Sequence, residues 1–161
     1  MTKQELLQRV IETLAREKNS AEQSLKTTMQ AVIEAPGAMQ SHSDTTKWQM
    51  SRRAEVIQRL IDEKSFAIHT LQDMIHSNLS SDAGEVEIGS IVEIRNERNE
   101  REVYFILPVG GGIEVVDNDR TILVITARAP VAAALIGKRQ GQTVKLHIGS
   151  QQRELTIVSI Q

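Results

Sequence analysis

The sequence predicts an α+β protein in two parts, from two observations. In the first 80 residues, apolar side chains recur at heptad spacing in two stretches whose paired positions always sum to 82. Beyond Gly84 the period changes from helical to alternating, in short β-branched runs separated by turn residues. The expected architecture is an N-terminal antiparallel α-helical coiled-coil hairpin over residues 1–79, its tip at about 36–46. A linker at 80–84 follows, then a C-terminal antiparallel β domain with one short helix over 85–161.

The hairpin follows from the pairing arithmetic. Leu7 with Ile75, Leu14 with Ile68, Ala21 with Ile61 and Thr28 with Ala54 form one row. Ile11 with Leu71, Lys18 with Lys64, Leu25 with Ile57 and Val32 with Met50 form the second, four residues on. Rows that step by seven and lie four apart are the seam of a two-stranded coiled coil. A constant sum, rather than a constant difference, makes the strands of the seam antiparallel. The first helix should run over residues 2–34, where no Gly or Pro occurs before Pro36-Gly37. At about 1.5 Å per residue it would be roughly 50 Å long. The second should run from near Thr45 to about Asn78, with Ser43 or Asp44 as its N-cap. Lys18 and Lys64 share one level of the seam, so their stems should lie along it while the ammonium groups reach water or Glu17, Glu22 and Glu63.

Past the linker, strands are expected at Ile91–Arg95, Glu102–Leu107, Thr121–Ile125, Thr143–Ile148 and Glu154–Ile160. A short helix fits Pro130–Gly137, with Pro suited to the first turn and Gly to the end. Gly110-Gly-Gly112 lacks the Lys-Ser/Thr and the helix that a phosphate loop requires, and reads as a flexible connection.

Composition narrows the functional classes. The chain has no cysteine, which excludes disulfides and thiolate metal sites. Lys plus Arg number 19 against 21 acids, so no global field attracts nucleic acid. Only Trp48, Phe66, Tyr104 and Phe105 are aromatic, too few for a base-stacking surface. Charges interrupt the N-terminal apolar residues every few positions, which argues against a signal or membrane span and for a cytoplasmic protein. No self-contained catalytic constellation emerges, so the chain is not expected to be an enzyme.

Several pieces of the second part resemble the Gre-type transcript cleavage factors of bacterial RNA polymerase. They are Val86-Glu-Ile-Gly-Ser-Ile-Val, Glu102-Val-Tyr-Phe-Ile-Leu, Ala129-Pro-Val-Ala-Ala-Ala-Leu-Ile-Gly-Lys138, Gly141-Gln-Thr-Val and Glu154-Leu-Thr-Ile-Val-Ser-Ile, in the family's order. The resemblance implies an FKBP-like C-terminal domain, without implying isomerase activity. The family also carries an N-terminal antiparallel coiled coil, which the pairing arithmetic reaches independently. By this resemblance the partner is bacterial RNA polymerase: the globular domain docks on it and the coiled coil enters the secondary channel, its tip approaching the nascent RNA 3′ end. The family docks around the residue matching Pro130, which makes Arg128, Ala129 and Pro130 the candidate contacts. Arg52, Arg53 and Arg59 are the candidates for RNA contact, diluted by Glu55, Asp62 and Glu63; the plainer reading is a solvated face.

The family tip reads approximately G-D-L-S-E-N-A-E-Y, and here the match is Gln40-Ser-His-Ser-Asp-Thr-Thr-Lys-Trp48. Ser43 is retained, Asp44 stands in place of the second acid, and Ser41 replaces the first. Cleaving relatives use two tip carboxylates to hold Mg²⁺ shared with the polymerase active site, the chemistry of a two-metal centre. Here Asp44 is the single metal-ligand candidate, and no cofactor of the chain's own is implied. Two versions stay open: cleavage stimulated through Asp44, or channel occupancy without cleavage. Asp44 also fits a plain N-cap, worth about 1 kcal/mol. His42, alone in a polar turn, reads as solvated, and Met39 and Trp48 are expected to pack together and close the hairpin. Seam closure within one chain predicts a monomer. The competing class is a coiled-coil interaction module that shares the fold but binds another partner or homodimerises.

Overall fold

A computed structural model describes residues 2–34, 41–77, 84–118, 120–148 and 151–161, with the side chains at 41–46, 148 and 151 excepted. The elements are α1 (Lys3–Glu34), α2 (Ser41–His76), β1 (Ile91–Asn96), β2 (Arg101–Leu107), β3 (Glu114–Asp117), β4 (Arg120–Thr126), α3 (Pro130–Leu135), β5 (Thr143–Ile148) and β6 (Gln151–Ile160). This is an α+β fold. Packing divides it into two compact units: Glu12–His69, and the residues up to Ile11 together with Thr70–Gln161. That division falls inside both helices, and the expected linker at 80–84 lies, but for Gly84, outside the described residues.

In the unit Glu12–His69, α1 and α2 pair through the heptad rows. No seam position of this unit is exposed: Leu14, Ala21 and Ile61 are buried and the rest half-buried. Lys64 Nζ reaches Glu17 Oε2 at 2.5 Å and Lys18 Nζ reaches Glu22 Oε1 at 3.5 Å, so both seam lysines turn their charge outward along the seam. The helix α2 starts at Ser41, four residues earlier than expected. Ser43 and Asp44 therefore lie inside its first turns instead of capping it. The segment Ser41–Lys47 holds no Gly or Pro, so nothing in it stops the helix from extending toward its N-terminus. The expected stop at Pro36-Gly37 lies outside the described residues.

The other unit is built on a six-stranded sheet in the order β3-β4-β2-β1-β6-β5. All neighbours are antiparallel except β2 and β4, which run parallel with Tyr104 opposite Leu123 and Phe105 opposite Val124. The strand β3, not anticipated from the sequence, forms a hairpin with β4 and takes the sheet edge, which is why β2 and β4 meet in parallel. Gly110-Gly-Gly112 is a fitted turn, not a loose connection. Gly110 and Gly112 have φ of 78° and 90°, a region L side chains rarely adopt. A Cβ on Gly111 would meet Thr126 Cγ2 at 3.0 Å, and Gly112 N donates to Val124 O at 2.8 Å.

Both faces of the sheet are buried. On one, Val92, Ile94, Tyr104, Ile106, Leu155 and Ile157 pack with Ala132 and Leu135 of α3. On the other, Ile91, Phe105, Leu107, Ile122 and Val124 are buried as well. The roots of the hairpin belong to this unit and supply Leu6, Leu7, Val10, Ile11 and Leu71, all buried. Leu6 lines a cavity with Ile91, Val103 and Ile122, and Arg9 Nη1 donates to Val116 O at 3.2 Å. The helix α1 begins with a capping box: Glu5 N donates to Thr2 Oγ1 at 3.2 Å, while Thr2 N donates to Glu5 Oε2 at 2.8 Å.

Tyr104 O–H donates to the Glu102 carboxylate, which also accepts from Arg153 Nη2 at 3.2 Å. Burial first, and the carboxylate second, push the phenol well above its ordinary value near 10. The fold thus favours the protonated phenol. Its contribution is full below the unfolded value and is lost as pH rises through 10 toward the folded value. The urea midpoint should fall as pH rises past about 10, and Tyr104→Phe should flatten that fall. Because the chain has one tyrosine, tyrosinate absorbance reports the group directly. A second comparison tests the roots: Leu71→Ala should cost about 2–5 kcal/mol in urea unfolding, whereas Val56→Ala, at an exposed site, should stay within about 0.5 kcal/mol.

Candidate functional site

Two sets of residues carry the functional expectations, one in each unit. In the hairpin, Ser41, Ser43 and Asp44 fall in the first turns of α2, with Ser41 and Asp44 three apart along the helix. Their side chains, like that of His42, lie outside the described residues. Among the described residues no three His, Asp or Glu side chains gather as a metal cage. The expectation that Asp44 ligates a metal falls on these side chains and so lies outside the described residues.

The next turn of α2 is fully described. Trp48 is 60% exposed, and the guanidinium of Arg52, four residues on, lies over its ring at 4.9 Å from the centroid. The i,i+4 spacing of the helix brings the two together, and the cation meets the electron-rich face of the indole. The expectation that Trp48 packs with Met39 to close the hairpin falls partly outside the described residues, which do not include Met39. Arg53 and Arg59 are exposed, so the three arginines on α2 divide into one that covers an aromatic ring and two that face solvent.

In the other unit, Thr126 ends β4 and the chain turns into α3. Ala129 N donates to Thr126 O at 2.9 Å, and Ala129 is the N-cap of α3 in extended conformation, with Pro130 in the first turn. The turn exposes Arg128 and Pro130, while Ala129 packs against the core. The three candidates are contiguous in sequence, with an exposed residue on either side of one that packs on the core. The far end of α3 is tied down at Gly137, whose N donates to Val86 O at 2.8 Å. Glu85 and Arg139 lock the same segment, with Arg139 Nη2 at 2.6 Å from Glu85 Oε1.

The profile of the family described as "Transcription elongation factor, GreA/GreB, C-term" matches residues 81–161. The chain belongs to the GreA/GreB family of transcription elongation factors. Among solved structures it is similar to Thermus aquaticus Gfh1, at 21% identity over 95% of this chain and 92% of that one, with a TM-score of 0.39. The GreA factor homolog 1 (Gfh1) of Thermus thermophilus is similar at 21% identity, covering 94% of each chain, TM-score 0.38. A GreA/GreB factor from Nitrosomonas europaea is similar at 21% identity over 55% of this chain and 74% of that one, TM-score 0.33. No curated protein matches the sequence. Among the described residues, no helix of this family member is long and apolar enough to cross a membrane.

Sequence reading passed over a third feature, the apolar residues that lie off the seam. Met29 and Ile33 on α1 and Val56 and Leu60 on α2 are all exposed. The signal was available in the heptad register, since each stands outside both rows. The Trp48 arrangement has a direct test, because the chain holds one tryptophan. Arg52→Ala should uncover one ring face, raising acrylamide quenching of Trp48 fluorescence while stability changes by less than about 1 kcal/mol.

Proposed function

We propose that this elongation factor binds bacterial RNA polymerase and inserts its helical hairpin into the secondary channel, where it occupies the approach to the active site without stimulating cleavage. The observation that carries the reading is Ser41, a neutral hydroxyl where the tip of cleaving relatives has its first acid, on a chain whose second half matches the GreA/GreB profile. Docking would use the patch of Arg128, Ala129 and Pro130, whose exposed ring and guanidinium suit a surface with an apolar spot and a carboxylate beside it. The tip would stand near the nascent RNA 3′ end, with Arg53 and Arg59 available to its phosphates. Arg52, already over Trp48, would serve RNA only by leaving the ring. The factor would act as a monomer in the cytoplasm, with the catalytic metal centre belonging to the polymerase.

Channel occupancy acts by exclusion. A two-helix arm is wide compared with a nucleotide triphosphate, so its presence hinders diffusion to the active site without any bond being made or broken by the arm. Asp44 adds one negative charge near the catalytic centre, enough to perturb a bound cation but not to complete its coordination.

The test is RNA cleavage by a backtracked elongation complex, with polymerase binding measured in parallel. The native chain should bind and leave the cleavage rate within about twofold of the factor-free complex, and Ser41→Asp should raise it by about tenfold or more. Cleavage by the native chain that Asp44→Ala abolishes would show that one acid suffices. Absence of binding would turn the reading toward an interaction module with a different partner.

A further inference from the structure

The six-stranded sheet has two edges, and they are finished differently. At β3 the alternation of bonds in an antiparallel pair turns the Val116 carbonyl outward, where Arg9 Nη1 of α1 caps it at 3.2 Å. At β5 the same alternation can be followed from Ile157 N, which donates to Gln142 O at 2.9 Å. Val144 opposite Leu155 and Leu146 opposite Arg153 are then the next bonded pairs. The N–H and C=O groups of Thr143, Lys145 and His147 therefore point away from the sheet. Among the described residues, no donor or acceptor meets these backbone groups.

Three amides and three carbonyls spaced along an extended strand are matched by another extended backbone, which can bond to all of them at once. The surroundings narrow its side chains. Between β5 and α3 lies a hollow of about 570 Å³, floored by Ala133 and Ala134 of α3 and by Val144 of β5. Its charged lining residues are Lys138 and Lys145, and no acid lines it among the described residues. Lys145 Nζ meets Glu154 Oε1 of β6 at 3.1 Å, in a pair exposed on both sides. Lys138 is exposed and has no carboxylate partner among the described residues, so it can receive one without giving up another.

Charge also argues against a second copy of the chain. From Lys138 to Ile148 the sequence holds two lysines, an arginine and a histidine, and no acid. Pairing β5 with its own copy would bring one lysine-bearing edge against another, an arrangement that disfavours self-association. We propose that the free edge of β5 binds an extended acidic segment of another protein as a seventh strand, with a carboxylate side chain in the hollow beside Lys138. The assignment is independent of the polymerase reading, and its test does not involve polymerase.

The full chain, labelled with ¹⁵N, is titrated with a peptide of about eight residues that alternates Thr and Glu. Its Thr/Lys counterpart and a Thr/Glu copy methylated at every backbone nitrogen are titrated separately. The Thr/Glu peptide should shift the amide signals of Thr143, Lys145 and His147 saturably and slow their hydrogen exchange by about tenfold or more. Val144 and Leu146, whose amides already bond to β6, should change least. The methylated copy should bind at least about tenfold more weakly, and Lys138→Gln should weaken the Thr/Glu peptide about three- to tenfold. Lys138 is exposed, so unchanged circular dichroism checks that the variant keeps its fold. Equal binding of the Thr/Lys peptide or of the methylated copy, binding that Lys138→Gln leaves unchanged, or no slowing at the three amides would each overturn the proposal. So would edge signals that move with protein concentration alone, which would assign the edge to self-pairing.

Discussion

The structure turns on a sheet that is apolar on both faces. A strand that buries alternate residues needs cover on one side only, but Val103-Tyr-Phe-Ile-Leu107 presents large apolar side chains in unbroken succession. One face receives α3, a helix of six residues. The other would lie in water if nothing else reached it, at about 25 cal/mol for each Å² left exposed. The start of α1 shares this compact unit with the sheet, and its Leu6 lines a cavity with Ile91, Val103 and Ile122 on that face. Leu6, Leu7, Val10, Ile11 and Leu71, at the ends of the two helices, are all buried within that unit.

Much of this was legible in residue order, for identifiable reasons. The seam was readable because a heptad rule constrains every pair at once, and the sum of 82 fixes both direction and register. The short helix was readable from the Pro and Gly at its ends. The edge strand β3 was not: Glu114-Val-Val-Asp117 is too short to show alternation, and the three glycines before it suggested looseness where the turn has a close fit. The rooting of the helices was half-visible. Leu6 and Val10 widen the apolar stripe beside Leu7 and Ile11, a sign that a second surface covers that end, but periodicity shows that a face is buried without showing against what.

The candidate sites divide along the same line. The patch at Arg128, Ala129 and Pro130 is contiguous in sequence, so its integrity follows from one turn. At the hairpin, Trp48 meets Arg52, because an aromatic four residues before an arginine on one helix has a partner at hand without any tertiary help. The off-seam ridge of Met29 and Ile33 was present in the register all along, as residues that satisfy no row. Exposed apolar positions are informative when the periodicity that explains their neighbours fails to explain them.

The order of strands in the sheet has a kinetic consequence. The strand β6 is the last of the six in sequence, yet it lies between β1 and β5, pairing with both. During synthesis β1 can form its hairpin with β2 early, but its other edge stays open until a segment some 60 residues later has been made. The apolar roots of the hairpin emerge before any of the sheet they cover. A nascent chain therefore holds an unpaired strand edge and two uncovered apolar helix ends at the same time, and the sheet is completed only as its final strand arrives between β1 and β5.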